Sequence, residues 1–195
     1  MPGSCPVHVT LRVRPGVPSL RSGALVREWR RSLAEASERG SFRVAHYSLQ
    51  GDHAHLIVEA HGKQALACGM KSIGARLARA VNRSNGRSGP VLDGRYHHRS
   101  LRTPREVRRA LAYVLLNARR HLAKRRHVSR ATPALLDPAS SARWFDGWRP
   151  GVARSLPGSS AYCEVARPRS WLLCVGWRRH GLVDPAEVPG GVAQT

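Results

Sequence analysis

The sequence predicts an α+β fold: an antiparallel sheet of the split βαβ kind, in the order β-α-β-β-α-β-α, followed by a partly ordered C-terminal extension. Three observations carry this. Val7, Val9, Leu11 and Val13 alternate with His8, Thr10, Arg12 and Arg14, the period-two pattern of a half-buried strand. Two further strand-like runs, Phe42–Leu49 and His53–Ala60, are separated only by Gln50-Gly51-Asp52, which makes them a hairpin. Between and after these runs, three longer stretches repeat their apolar residues at helical spacing.

Taken in order, Pro15-Gly16-Val17-Pro18 stops the first strand, and Ser19 is a candidate cap for a helix running to about Arg39. Leu20, Leu25, Trp29, Leu33 and Ala36 lie near one face of that helix, and Gly40 ends it. After the hairpin, Lys63 to Arg83 carries Leu66, Met70, Ile73, Leu77 and Val81 in helical register. Asn85 to Pro90 reads as a loop, and Tyr96 to Leu101 as a short strand. Thr103, with Pro104 at the first helical position and Glu106 three residues on, caps a last long helix to about Arg125. This order is that of ferredoxin-like folds, in which the first and third strands sit side by side at the centre. Residues 5–128 make up this unit. Residues 129–195 form a Pro- and Gly-rich extension that packs back on the core or grips nucleic acid. It holds an apolar knot at Trp144, Phe145 and Trp148, a short helix from Ser170 and a disordered tail from about Pro185.

Charge narrows the partner. Lys and Arg number 33 against 12 Asp and Glu, a difference of +21, and all but three of the cations are arginines. A guanidinium matches phosphate with a planar fork of donors, and so strong a surplus is best neutralised by a polyanion. A genome biased towards Arg codons accounts for arginine over lysine but not for the shortage of acids. The four cysteines, Cys5, Cys68, Cys163 and Cys174, form no CxxC pair, and Cys68 falls in a helix as a buried thiol. No apolar run is long enough to span a membrane and no signal peptide stands at the N-terminus, so the expectation is a cytoplasmic protein with reduced thiols.

His53 and His55 share one face of their strand with Ile57 and Glu59. Two imidazoles about 7 Å apart along a strand can reach one metal ion, although two surface histidines with no joint task would look the same. On the last helix, Val107, Leu111, Val114, Leu115, Ala118 and Leu122 form the core stripe, and Tyr113 points about 150° from its middle. Asn117 lies one turn on, on the same side. Alone, this pair also reads as an exposed tyrosine with a polar neighbour. Together, the pieces fit phosphodiester cleavage by a phenolate, with a divalent ion stabilising charge on the scissile phosphate. Glu59 stands either behind the metal or opposite an arginine. Tyr96 is a packing or stacking residue rather than a second nucleophile, and His97 and His98 project to opposite faces.

At these residues the chain resembles the single-tyrosine HUH transposases, and within them the REP-associated tyrosine transposases. The resemblance covers about residues 5–125 and rests on HVTLRV at 8–13, GDHAHLIVE at 51–59, GRYHHRSL at 94–101 and YVLLN at 113–117. It implies that His53, His55 and Asn117 hold Mg²⁺ or Mn²⁺. It further implies that Tyr113 forms a 5′-phosphotyrosine and frees a 3′-hydroxyl, and that the substrate is single-stranded DNA with a hairpin near the cleavage point. Where the REP-associated branch often has Asn-Pro, Asn117 is followed by Ala118.

The expected function is thus a metal-dependent, transposase-type single-strand nickase and strand transferase. Arg12, Arg14, Lys71, Arg76, Arg79, Arg83, Arg95, Arg99 and Arg120 are its candidate nucleic-acid contacts. Such an enzyme works as a monomer or as a homodimer with exchanged helices. The competing reading is a non-catalytic protein that only binds hairpin DNA. A structured-RNA binder is a third, and it lacks the aromatic sheet motif such binders use.

Overall fold

The computed structural model describes residues 5–126, 136–150 and 163–190. The expected boundary after residue 128 and the end of the tail, 191–195, fall outside them. Five strands form one antiparallel sheet in the order β2-β3-β4-β1-β5. They are β1 (Val7–Arg12), β2 (Glu38–Arg39), β3 (Phe42–Leu49), β4 (His53–Ala60) and β5 (His97–Ser100). As the element order requires, β1 and the second hairpin strand, β4, are central and pair with each other.

Alternation gives the sheet two unlike faces. Val7, Val9 and Leu11 of β1, with Ala54, Leu56, Val58 and Ala60 of β4, pack under α1 (Gly23–Ala34) and α2 (Lys63–Ser84). A bulge between Val44 and His46 lets β3 serve both sides: Val44, Tyr47 and Leu49 join the α1/α2 core, while Ala45 turns to the other face. On that other face Ile57 and Ala45 meet α3 (Pro104–Leu115) and the C-terminal extension, whose Phe145, Trp148, Leu173, Trp177 and Val183 complete a second core.

Several boundaries differ from expectation for local reasons. Leu20 and Arg21 form a turn, with the amide of Leu20 on the carbonyl of Gly51 at 3.0 Å and that of Arg21 on the Ser19 hydroxyl at 3.3 Å, and α1 does not start at Ser19. It starts after Ser22, whose hydroxyl accepts from the amide of Leu25. It ends at Ala34, and Glu38–Arg39 add a short strand to β3. Cys68 is exposed, because the Leu66, Met70, Ile73, Leu77 stripe of α2 faces the sheet and Cys68 lies off it. The capping box at Thr103 and Glu106 forms as expected. The last helix, however, breaks at Leu116 (φ −109°, ψ 17°), and α4 (Asn117–Arg126) follows. Leu115, Leu116 and Asn117 are all buried across the break.

The described parts of the extension are integral to the fold. Its backbone closes the open edge of β3: Leu49 donates to the carbonyl of Ala139 at 2.8 Å, Ser141 to that of Tyr47 at 3.0 Å and Ala166 to that of Val44 at 2.9 Å. Glu164, buried, accepts from the Tyr47 hydroxyl at 3.0 Å, from Arg143 at 2.6 Å and from the Trp144 indole. Glu59 takes no part with the histidines beside it on the strand. It accepts the amides of Arg169 (2.8 Å) and Ser170 (2.7 Å) and pairs with Arg43. The tail that the sequence leaves free from about Pro185 is tied at Ala186 and Glu187 to α3 and α4. Arg108 grips Glu187 through two bonds of 2.9 and 2.8 Å, and Arg119 donates to the carbonyl of Ala186. Among the described residues no helix is long and apolar enough to cross a membrane.

Candidate active site

The site lies where β4 begins. In the register of β1 and β4, Arg12 stands opposite His53, Thr10 opposite His55 and His8 opposite Ile57. On the far side of β1, Thr10 stands opposite His97 and His8 opposite Arg99. Residues directly opposite in an antiparallel pair share a face. One face therefore carries Arg12, Thr10, His8, His53, His55, His97 and Arg99. His98 goes to the other face, where its ring lies 5.7 Å from that of Tyr96, and Tyr96 packs against the α1/α2 core.

His53 and His55 point their Nε2 atoms at each other, 3.1 Å apart. Each ring is held from behind. The Nδ1 of His53 meets the Asp52 carboxylate at 2.6 Å, and the Nδ1 of His55 meets Thr10 Oγ1 at 3.1 Å and His8 Nε2 at 3.2 Å. A carboxylate on Nδ1 fixes the Nδ1–H tautomer of His53 and leaves its Nε2 lone pair facing forward, as in carboxylate–histidine–metal arrangements. Burial drives the His55 pKa down to about 3, assisted by the cations and imidazoles around it. Burial and the nearby Arg99 take His8 down to about 4. Both rings are therefore neutral near pH 7 and able to act as ligands or hydrogen-bond relays. The bond to His53 holds the Asp52 carboxyl below its ordinary value.

Over these rings sits Tyr113 of α3. Its ring centroid is 5.1 Å from that of His55 and 5.8 Å from that of His8. Tyr113 is only half-exposed. The apolar stripe of α3 packs on the extension as well as on the sheet, so the helix is covered on two sides and its tyrosine is turned onto the histidine face. Arg120 donates to the Tyr113 hydroxyl at 3.1 Å, with its guanidinium 5.0 Å from the ring centroid. His121 follows, its ring 6.3 Å from His53. Asn117, which opens α4, is fully buried, and neither Oδ1 nor Nδ2 of its amide has a hydrogen-bond partner. A cleft of about 650 Å³ opens beside Tyr113 and His8, bounded by Arg99, Arg109 and the docked residues 187–190.

The converging Nε2 atoms of His53 and His55 suit a divalent ion, and the buried Asn117 amide is a polar group still without a partner of its own. Among the described residues, no three His, Cys, Asp or Glu side chains form a metal cage by themselves. An amide oxygen or an oxygen of a bound phosphate would have to complete the shell.

The remaining candidates divide. Arg12 and Arg99 share the histidine face, and Arg99 pairs with Glu106 at 2.6 Å on its rim. Arg14 and Arg95 are exposed on connections close to β1 and β5. Lys71, Arg76, Arg79 and Arg83 belong to α2, across the sheet from Tyr113. Of these, Arg76 is committed to Ser32 and Glu35, and Arg83 to Glu28, tying α2 to α1. The residues missed in sequence are His8, Thr10, Asp52 and His121. His8 and Thr10 were readable as the polar face of β1, but only the β1–β4 register brings them to His55.

No protein-family model matches this sequence, and no curated protein does. Among solved structures, the chain is similar to a REP-associated tyrosine transposase bound to a REP hairpin, at a TM-score of 0.47 and 14% identity. The similarity covers 61% of this chain and 69% of that one. A likeness at this level is one of outline, and the functional reading below rests on the residues.

Proposed function

We propose that this protein is a divalent-metal-dependent single-strand DNA nickase and strand transferase that acts at hairpin-forming DNA through a 5′-phosphotyrosine. The observation that carries the reading is the pairing of His53 and His55 through facing Nε2 atoms 3.1 Å apart, with the Tyr113 ring 5.1 Å from His55. A carboxylate behind one imidazole and a hydroxyl behind the other prepare both rings as ligands, and a tyrosine stands beside them with its hydroxyl held by a guanidinium.

In this reading, His53, His55 and the amide oxygen of Asn117 hold Mg²⁺ or Mn²⁺, which supplies Lewis-acid stabilisation of charge on the phosphate. The Tyr113 oxygen attacks phosphorus. An O–P bond forms to the tyrosine, the bond to the 3′-oxygen breaks, the phenolic proton is lost and the leaving oxygen takes one up as a 3′-hydroxyl. The phosphotyrosine conserves bond energy, so a second 3′-hydroxyl can reverse the step on another strand. Arg120 orients the phenol, and Arg12 and Arg99 flank the path of the strand on the same face.

Covalent capture tests this. The protein is incubated with single-stranded hairpin DNA from the regions flanking its own gene, with Mn²⁺ or EDTA, and resolved on denaturing gels. A Mn²⁺-dependent adduct lost in Tyr113→Phe and in His53→Ala is the expected result. Tight hairpin binding without an adduct across several flanking substrates would leave a binding protein instead.

A further inference from the structure

Resting on the ion site just proposed, we infer that His8 is a positioning residue for that site, acting through His55. It reaches His55 from the neighbouring strand, with Nε2 3.2 Å from the His55 Nδ1. Thr10 approaches the same nitrogen at 3.1 Å. Two partners on the rear nitrogen fix the ring plane of His55, and with it the direction of Nε2. Behind a ligand histidine, such partners set orientation and tautomer.

His8 is also a neighbour of the tyrosine. Its ring lies 5.1 Å from His55 and 5.8 Å from Tyr113, and its side chain lines the cleft beside them. It is thus in ring contact with both a proposed ligand and the proposed nucleophile. His8 cannot itself be a ligand of the same ion in this arrangement, because its Nε2 addresses the rear of His55 rather than the space between His53 and His55.

The hydrogen-bond roles explain why an imidazole suits this position. Asp52 takes the Nδ1–H of His53, so His53 Nε2 is an acceptor and His55 must donate to it from Nε2. The rear Nδ1 of a neutral His55 is then an acceptor, served by the Thr10 hydroxyl and the His8 Nε2–H. When both front lone pairs face a cation, His55 carries its hydrogen on the rear nitrogen and needs an acceptor there. Neutral His8 serves as donor in one tautomer and as acceptor in the other, with no change of charge. A glutamine amide of similar reach has both functions too, whereas alanine has neither.

The test measures ion binding by the full-length protein without DNA. Mn²⁺ affinity is titrated by calorimetry, and the tautomer of His55 is read from its ring ¹⁵N shifts with and without Zn²⁺. Wild type, His8→Ala, His8→Gln and His53→Ala are compared. His8→Ala should weaken Mn²⁺ binding by about 10- to 100-fold, and His8→Gln should recover most of that loss. In His8→Ala the His55 ring signals should lose their single-tautomer signature in the ion-free protein. Equal Mn²⁺ affinity in wild type and His8→Ala, or a loss in His8→Gln as large as in His8→Ala, would overturn the assignment. His53→Ala separates the two levels: if it leaves Mn²⁺ binding intact, the ion site itself is wrong, and if it abolishes binding while His8→Ala does not, only the role of His8 falls.

Discussion

Acid should destabilise this fold through a histidine remote from the site. His46 sits on the bulge of β3, fully enclosed, with its ring edge-on to Phe145 at 5.4 Å and its Nδ1 3.4 Å from the Ser141 hydroxyl. Burial lowers its pKa from 6.5 to about 4, the Asp146 carboxylate offsetting only part of the effect. The sign follows from linkage. The unfolded chain binds this proton near pH 6.5 and the folded one only near pH 4, so stability falls as pH drops through that window and levels off below it. A gap this wide corresponds to about 3 kcal/mol, most of it lost between about pH 7.5 and pH 4.5. At a urea m-value of about 2 kcal/mol/M this moves the unfolding midpoint by about 1 M. Wild type loses more than this, since His8 and His55 are held neutral in the same way. The comparison is therefore with His46→Gln, which cannot titrate and should lose about 2 to 3 kcal/mol less over the same interval. If wild type and His46→Gln lose stability equally between the two pH values, the ring is solvated or differently packed and the reasoning fails.

Removing Asp52 releases the Nδ1 of His53 from its 2.6 Å bond, so Asp52→Ala should weaken Mn²⁺ binding by about 10- to 100-fold in calorimetry while leaving the melting temperature unchanged. Trp177 is fully buried against Phe145 and donates its indole to the carbonyl of Leu173 at 2.9 Å. Trp177→Ala should cost about 3–5 kcal/mol, read as a fall of roughly 10 °C in thermal unfolding. A change of only a degree or two would mean that the extension does not share the core of α3. Arg120→Ala frees the Tyr113 hydroxyl, and in the capture assay it should slow adduct formation by about 100-fold, well beyond any loss of hairpin affinity.

Much of this architecture was legible because the sheet writes itself as alternation. Val7 to Arg14 could be assigned face by face, and the element order alone placed β1 beside β4. What stayed hidden were features set by contacts distant in sequence. Ser19 offers the same capping chemistry as Ser22, and only the folded chain shows that α1 starts after Ser22. The break at Leu116 leaves no proline or glycine to announce it. His53, His55 and Tyr113 lie together in space, but His8 and Thr10, which reach His55, belong to another strand and appear only with the register. Tyr113 read as pointing away from the apolar stripe of its helix, which is true of that helix alone. With the extension covering the other side, the same direction leads into the site.

The cations pose a geometric problem whose answer can be tested. Lys71 and Arg79 are exposed on α2, across the sheet from Tyr113, while Arg12 and Arg99 share its face. A single phosphate held at Tyr113 cannot touch both groups, because the sheet and its packed side chains separate them by about 10 Å or more. If both groups serve the proposed activity, they hold different parts of the DNA: α2 a stem, and the histidine face the strand to be cut. The two groups then have separable effects. Replacing Lys71 and Arg79 together with alanine should weaken hairpin binding and lower the slope of log K against log salt by about 1 to 2, since each phosphate contact contributes about 0.9. The rate of adduct formation at saturating DNA should not change. Arg12→Ala with Arg99→Ala should instead lower that rate, with a smaller effect on the slope. A salt slope unaffected by the α2 substitutions would show that the nucleic acid never reaches α2 and that its cations are only a solvated outer surface. A lowered adduct rate at saturation would show that α2 acts on the reacting strand, and the division of labour between the two faces of the sheet would have to be abandoned.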